Sequence, residues 1–391
     1  MNIRKKIYPA VAALLAAAVL AGCGSSGSSL EIVGAPEDGT YAQVSTTEPP
    51  AAESEIDSSE ESTDTSADES KADVPVEVKP GYSGPIVASL DDEPEAIRNA
   101  PAYDTESAKT YFDLMPKIRE LANSVDDNFK LASFGSSTPS SESLKKLENE
   151  IYKLSANGHK VSLIMADLKT CSGVAYSSTR KMCTQSTIKS VYVGSVLEGF
   201  VNCVAENGAF MRNTIEFSDN DSYGKLRDIY GDENFKKWCT ETGVDTSFAD
   251  DYYPRNGSAK DLFKLWTKLY CVLNDEGLST GFARYYADSA NSAAKEQLGD
   301  RYPVQTKAGW ENGRDPDKPY DPNEAVDADY TDGDPSNDEC AMNDSGIVYT
   351  EKGPYIFVIF TDISFVDMKD HKDDNPLLDI TEALHDVQAS L

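Results

Sequence analysis

Residues 24–100 hold eighteen Asp and Glu against three Lys and Arg, threaded with Ser, Thr, Pro and Gly. Such a stretch cannot bury enough apolar surface to offset the entropy of ordering it, so no core is expected there. Folding is thereby confined to the C-terminal part of the chain, about 260 residues from Phe129 onward, enough for one sizeable core or two intimate subdomains. The same stretch supplies about half of the chain's formal charge of −31. The acidity therefore belongs to a self-repelling, extended tether, residues 23–103, rather than to an active module. It argues against nucleic acid as a partner, because phosphate contacts need clustered Lys and Arg.

The N-terminal segment sets the compartment. Arg4, Lys5 and Lys6 lead into an apolar run, Val11–Leu20, that closes on Leu20-Ala21-Gly22-Cys23. A basic start, a short apolar core and small residues before a cut site mark residues 1–22 as a secretory signal. About 15 apolar residues are available where a membrane span needs about 20. The LAGC ending resembles the lipobox of bacterial lipoproteins. That resemblance implies lipid modification of Cys23 and an extracytoplasmic chain anchored to the bacterial cell membrane.

Beyond the tether, apolar residues at helical spacing (Tyr111, Leu114, Met115, Ile118, Leu121) predict an amphipathic helix, with Pro116 kinking or dividing it. We take 104–128 as a helical connector and 129–391 as the folded domain. Within that domain Ser141–Leu154 reads as a helix with Ser141 as N-cap. Lys160–Leu168 and Gly173–Tyr176 read as two strands about a turn. A mostly helical middle runs from Ser186 to Tyr270. Pro303–Trp310, Asp344–Tyr349 and the strongly apolar Pro354–Thr361 read as three more strands, and Pro376–Ser390 as a closing helix. This order predicts an α+β fold: an antiparallel five-stranded sheet flanked by helices, plus a reduced all-α lobe.

Six cysteines remain once Cys23 is set aside, and an exported chain with an even number can form disulfides in 15 connectivities. No Cys or His has zinc-site spacing. His159, His371 and His385 each stand alone, so no metal or cofactor is expected.

Ser186 and Lys189 stand three residues apart, but so do Ser143/Lys146, Ser178/Lys181, Ser222/Lys225 and Ser292/Lys295. Spacing alone decides nothing. Only the Ser186 pair opens an apolar helical run, Ile188–Phe200, directly after two strands. There the two side chains share a helix face, and the unpaired N–H groups of the helix start lie beside the serine oxygen. A lysine partly removed from water at such a place has a lowered pKa and can act as a general base.

Ser218-Asp219-Asn220 comes next in the helical middle, and Lys307-Ala308-Gly309-Trp310 lies on a strand. In this order the three stretches resemble the S-x-x-K, S-D-N and K-T-G motifs of class A β-lactamases and penicillin-binding proteins. The likeness covers about residues 130–391. It implies that Ser186 attacks an amide or β-lactam carbonyl, that Lys189 takes its proton, and that Ser218 passes a proton to the departing nitrogen. It further implies that Asn220 orients the substrate amide and that Lys307 supplies positive charge near Ser218 and a substrate carboxylate. The backbone N–H groups of Ser186 and Trp310 would form the oxyanion hole, and the likeness counts Gly309 with Trp310 among the substrate-binding residues.

Four departures from the family pattern matter. The third motif lacks its hydroxyl at Ala308, a loss worth about 1.5–3 kcal/mol toward a charged group. The segment Val244–Ser258 contains no glutamate where the family keeps its deacylating base. Asp250 and Asp251 there read as a solvated turn. The gap between Ser186 and Ser218 is short, so the helical lobe should be reduced. An acidic insertion, 311–339, comes after the third motif, and Asp332 breaks any EF-hand pattern in it. The sequence therefore favours a monomeric serine hydrolase or transferase acting on a peptidoglycan-derived peptide or another small amide or ester. Outright β-lactam hydrolysis and a cell-wall-binding module without catalysis are the alternatives.

Overall fold

The computed structural model describes residues 104–279, 281–311, 341–363 and 375–391. The signal segment, Cys23, the acidic tether, His371 and the acidic insertion from residue 312 on lie outside the described residues.

Two short helices, α1 (Thr105–Lys109) and α2 (Met115–Ser124), come first. Asp104 caps α1, and Pro116 sits in the first turn of α2, where its missing N–H costs nothing. Ala108, Met115, Ile118 and Ala122 are buried in the domain's larger core. The Tyr270 hydroxyl donates to Ala108 O (3.0 Å), and Arg119 donates to Thr267 Oγ1 (2.7 Å). The expected connector is thus part of the domain.

The sheet is antiparallel and has, among the described residues, seven strands rather than five. Strand β1 (Leu131–Phe134), four mostly half-exposed residues at one edge, carries too little alternation to be read from sequence. Next come α3 (Ser141–Ala156), capped by Ser140 rather than Ser141, then β2 (Val161–Asp167) and β3 (Ser172–Tyr176). The expected strand over 303–310 divides into β4 (Val304–Thr306) and β5 (Gly309–Glu311), both paired along β6 (Ala341–Thr350). Strand β7 (Gly353–Thr361) completes the order β1-β3-β2-β7-β6-β4, and α11 (Pro376–Ser390) closes the chain.

The central strands are apolar at nearly every position because both sheet faces are covered. Leu163, Met165, Tyr355, Phe357 and Ile359 pack with Leu147, Ile151 and Leu154 of α3 and Leu377, Ile380 and Leu384 of α11. The alternate residues Ile164, Ala166, Ile356, Val358 and Phe360 face the helical lobe. That lobe comprises α4 (Ile188–Gly199), α5 (Cys203–Glu216), α6 (Asn220–Tyr230), α7 (Glu233–Thr242) and α8 (Ala259–Leu273). Ten of the twelve residues of α4 are buried, so it is apolar all round rather than amphipathic. The short helices α9 (Glu276–Ser279) and α10 (Ala293–Leu298) lead back to the sheet. No disulfide joins Cys171, Cys183, Cys203, Cys239 and Cys271 to one another.

Candidate active site

Ser186 is half-buried in a 3₁₀ turn, Gln185–Thr187, that runs straight into α4. Gln185 takes φ 48°, an uncommon conformation for a non-glycine residue and one concentrated at functional sites. The turn is pinned from two sides. Asn343 Nδ2 of β6 donates to Cys183 O (2.8 Å), and Thr184 N donates to Pro254 O (3.0 Å).

One turn further on, Lys189 is completely buried in the lobe. Its Nζ donates to Ser218 O (2.6 Å) and to Asn220 Oδ1 (2.5 Å), and lies 5.5 and 5.4 Å from the ring centres of Tyr223 and Tyr253. Burial, aided by the charge of Lys307 and partly offset by Asp219, holds its pKa well below the ordinary lysine range. A neutral lysine has two N–H groups and one lone pair. In that neutral form, which the lowered pKa favours, both N–H groups would meet these carbonyl oxygens and the lone pair would remain to accept a proton. No hydrogen bond joins Ser186 Oγ to Lys189 Nζ among the described residues. Catalytic contacts of this kind commonly tighten only when substrate is bound.

Each member of the Ser218–Asn220 triplet has a local structural duty as well. Ser218 turns the chain at φ 58° between α5 and α6. Asp219 caps α6 by accepting from Ser222 N (2.8 Å). Asn220 opens α6 at the surface.

Lys307 reaches the same place from the sheet. It sits at the break between β4 and β5, tied to β6 by Lys307 N donating to Ser345 O (2.9 Å) and Ser345 Oγ donating to Lys307 O (3.0 Å). Its Nζ donates to Ser218 Oγ (2.8 Å) and to Ala308 O (2.7 Å), 5.5 Å from the Trp310 ring centre. Burial lowers its pKa to about 7, opposed by Asp344. Asp344 is equally buried, and burial raises it to about 6 against the donors Ala294 N, Ser292 Oγ and Ser345 N and the charge of Lys307.

Gly309 closes the arrangement. A Cβ there would lie 2.8 Å from both Ser186 N and Thr187 N, so β5 runs against the backbone N–H of the serine. Lys189, Ser218, Asn220 and Lys307 thus form one hydrogen-bonded group, with the Ser186 turn and β5 beside it. Asp250 does not join them: it is exposed and paired with Lys236 (2.9 Å). Asp251 accepts from Tyr253 N (3.1 Å) in its own turn. The residue missed from sequence is Tyr253, whose hydroxyl donates to Asn220 Oδ1 (2.7 Å). Among the described residues no group of three or more His, Cys, Asp or Glu gathers as a metal site.

The described residues form an α+β fold, an antiparallel sheet covered on both faces with a helical lobe against one of them. Residues 208–388 match the model of the β-lactamase enzyme family, a span that includes Ser218, Asn220 and Lys307 and starts after Ser186. Three similar solved structures are a β-lactamase from Streptosporangium roseum, a class A β-lactamase from Mycobacterium abscessus and a β-lactamase from Chitinophaga pinensis. The first is 14% identical at TM-score 0.44, over 64% of this chain and 100% of its own. The second is 13% identical at TM-score 0.43, over 63% and 98%. The third is 14% identical at TM-score 0.45, over 62% and 97%. No curated protein matches the chain.

Proposed function

We propose that this protein is a membrane-anchored, extracytoplasmic serine hydrolase that forms an acyl-enzyme at Ser186 from a small amide, ester or cell-wall peptide. One observation carries the reading: two buried lysines from different elements converge on Ser218, one on its carbonyl and one on its hydroxyl, beside the Ser186 turn. Burying two amines so close together is costly, and such perturbed groups concentrate at functional sites.

Ser186 Oγ attacks the substrate carbonyl carbon while its proton passes to the Lys189 lone pair. The oxyanion forms against the N–H groups of Ser186 and Trp310. As the C–N bond breaks, the Ser218 hydroxyl proton goes to the leaving nitrogen while Ser218 Oγ takes a proton from the Lys307 ammonium that donates to it. Water or an acceptor amine then takes the acyl group. Asp250 and Asp251 both stay out of this group, which supports slow deacylation and disfavours efficient β-lactam turnover.

Incubation with a fluorescent penicillin or a fluorophosphonate, followed by peptide mass spectrometry, should give a lasting adduct on Ser186. Rapid release of hydrolysed drug would move the assignment to a working β-lactamase. A folded protein that takes up neither probe is a binding module, and the reading fails.

The Lys307 amine gives a pH signature. It is charged below about 7 and neutral above. Labelling by a carboxylate-bearing penicillin, relative to an uncharged fluorophosphonate, should fall as pH rises from about 6 to about 8.5, when rates are taken at low probe concentration so that they report the free enzyme. A ratio flat across this range would remove Lys307 from substrate binding.

A further inference from the structure

We propose that Tyr253 is a positioning residue that fixes the carboxamide of Asn220, and so sets a preference for acyl groups carrying an amide carbonyl. The proposal rests on Ser186 being the nucleophile. Two donors converge on one oxygen: Tyr253 Oη (2.7 Å) and Lys189 Nζ (2.5 Å) both donate to Asn220 Oδ1. An Asn side chain held this way cannot turn over without facing its own N–H groups toward those donors. Its Nδ2, with no partner among the described residues, is therefore held on the outer side, at the exposed start of α6. It can donate there to a substrate carbonyl.

Tyr253 is itself held rigidly. It is 8% exposed, and its ring packs against Tyr223 at 5.8 Å between centres and faces Lys189. Its backbone is fixed by Tyr253 N to Asp251 Oδ1, and the next residue by Thr184 N to Pro254 O. The phenol thus arrives on the segment that pins the nucleophile turn, so turn and amide are held together. Ring and hydroxyl do separate jobs: the ring shields the amine of Lys189, and the hydroxyl orients Asn220.

The test uses two thioesters of equal chain length that differ only in an amide, N-acetylglycyl and pentanoyl, with acylation of Ser186 read by intact-protein mass and active sites titrated with fluorophosphonate. The wild type should favour the N-acetylglycyl ester. Tyr253→Phe, which keeps the ring, should lose about three- to tenfold on that ester through weaker binding, with less than about twofold change on pentanoyl. Asn220→Ala, which also takes an acceptor from Lys189, should slow both esters but the N-acetylglycyl ester more, and the double variant should lose no further preference. Equal losses on both esters, no loss on either, or a wild type indifferent to the amide would each overturn the assignment. A wild type that fluorophosphonate does not label at Ser186 overturns the nucleophile reading itself, and the role of Tyr253 falls with it.

Discussion

Lys189→Met should slow acylation of Ser186 by about 10²- to 10⁴-fold, the range for loss of a general base, while the protein stays folded. Methionine matches the length of the lysine stem and suits a helix buried on nearly every side. The chemistry is lost for a simple reason. In the wild type the buried amine donates to Ser218 O and Asn220 Oδ1, and the proposed mechanism uses its remaining lone pair for the serine proton. A thioether keeps the volume and has no such basic nitrogen. Stability should change little, because two effects oppose. Ser218 O loses a donor, a cost of about 1–3 kcal/mol for a buried acceptor, while the desolvation of an amine at a fully buried site is removed. Asn220 Oδ1 keeps its Tyr253 donor. Lys189→Arg should be as inactive, since a guanidinium stays charged and cannot take a proton. Stopped labelling kinetics with a parallel thermal melt read both quantities. A folded Met variant that acylates within about tenfold of wild type would mean that another group takes the Ser186 proton.

The parts of this site legible in the sequence are those whose chemical and local structural roles coincide. Asp219 caps a helix, Ser218 makes the turn before it, and Asn220 opens it, so the triplet is a local signal. Lys307 marks a strand for similar reasons. Its pairing with Ser345 keeps the chain on β6 across the break that divides β4 from β5, which is why the sequence reads as one strand where the fold has two. Tyr253 has no such signal. The acidic residues of its segment, Asp250 and Asp251, look more like chemistry in the sequence, yet they serve a turn and an ion pair. What brings Tyr253 to Asn220 is long-range: the bridge between Met182 and Gly257 and the bond from Thr184 to Pro254 lay this segment along the Ser186 turn. Neither bond has a sequence pattern. Strand β1 escapes for a different reason, since a short, half-exposed edge strand carries little of the alternation that reveals strands.

Gly309→Ala should cost about 10²- to 10³-fold in acylation, the range for disturbing one oxyanion donor, and about 1–3 kcal/mol of stability through overpacking. Gly309→Val should do little more harm than Ala, because the first added carbon already meets backbone. That carbon would stand 2.8 Å from Ser186 N, 2.8 Å from Thr187 N and 3.0 Å from Gln185 Cβ. Gly309 is not in the left-handed region, so its conformation tolerates a side chain and only the contact forbids one. Relief would need β5 or the Ser186 turn to retreat, and both are tied to one residue. Asn343 pairs with Gly309 in the sheet and donates through Nδ2 to Cys183 O of the turn. Asn343 Oδ1 in turn accepts from Thr361 N of β7 (3.1 Å), which anchors it in the sheet. The strain therefore falls on the gap between Ser186 N–H and Trp310 N–H, where the proposed mechanism places the oxyanion. Acylation rates together with a melt separate this outcome from simple unfolding: the variant should remain folded at room temperature and yet label slowly. An Ala variant that acylates within about twofold of wild type would show that the oxyanion is stabilised somewhere other than between β5 and the serine turn.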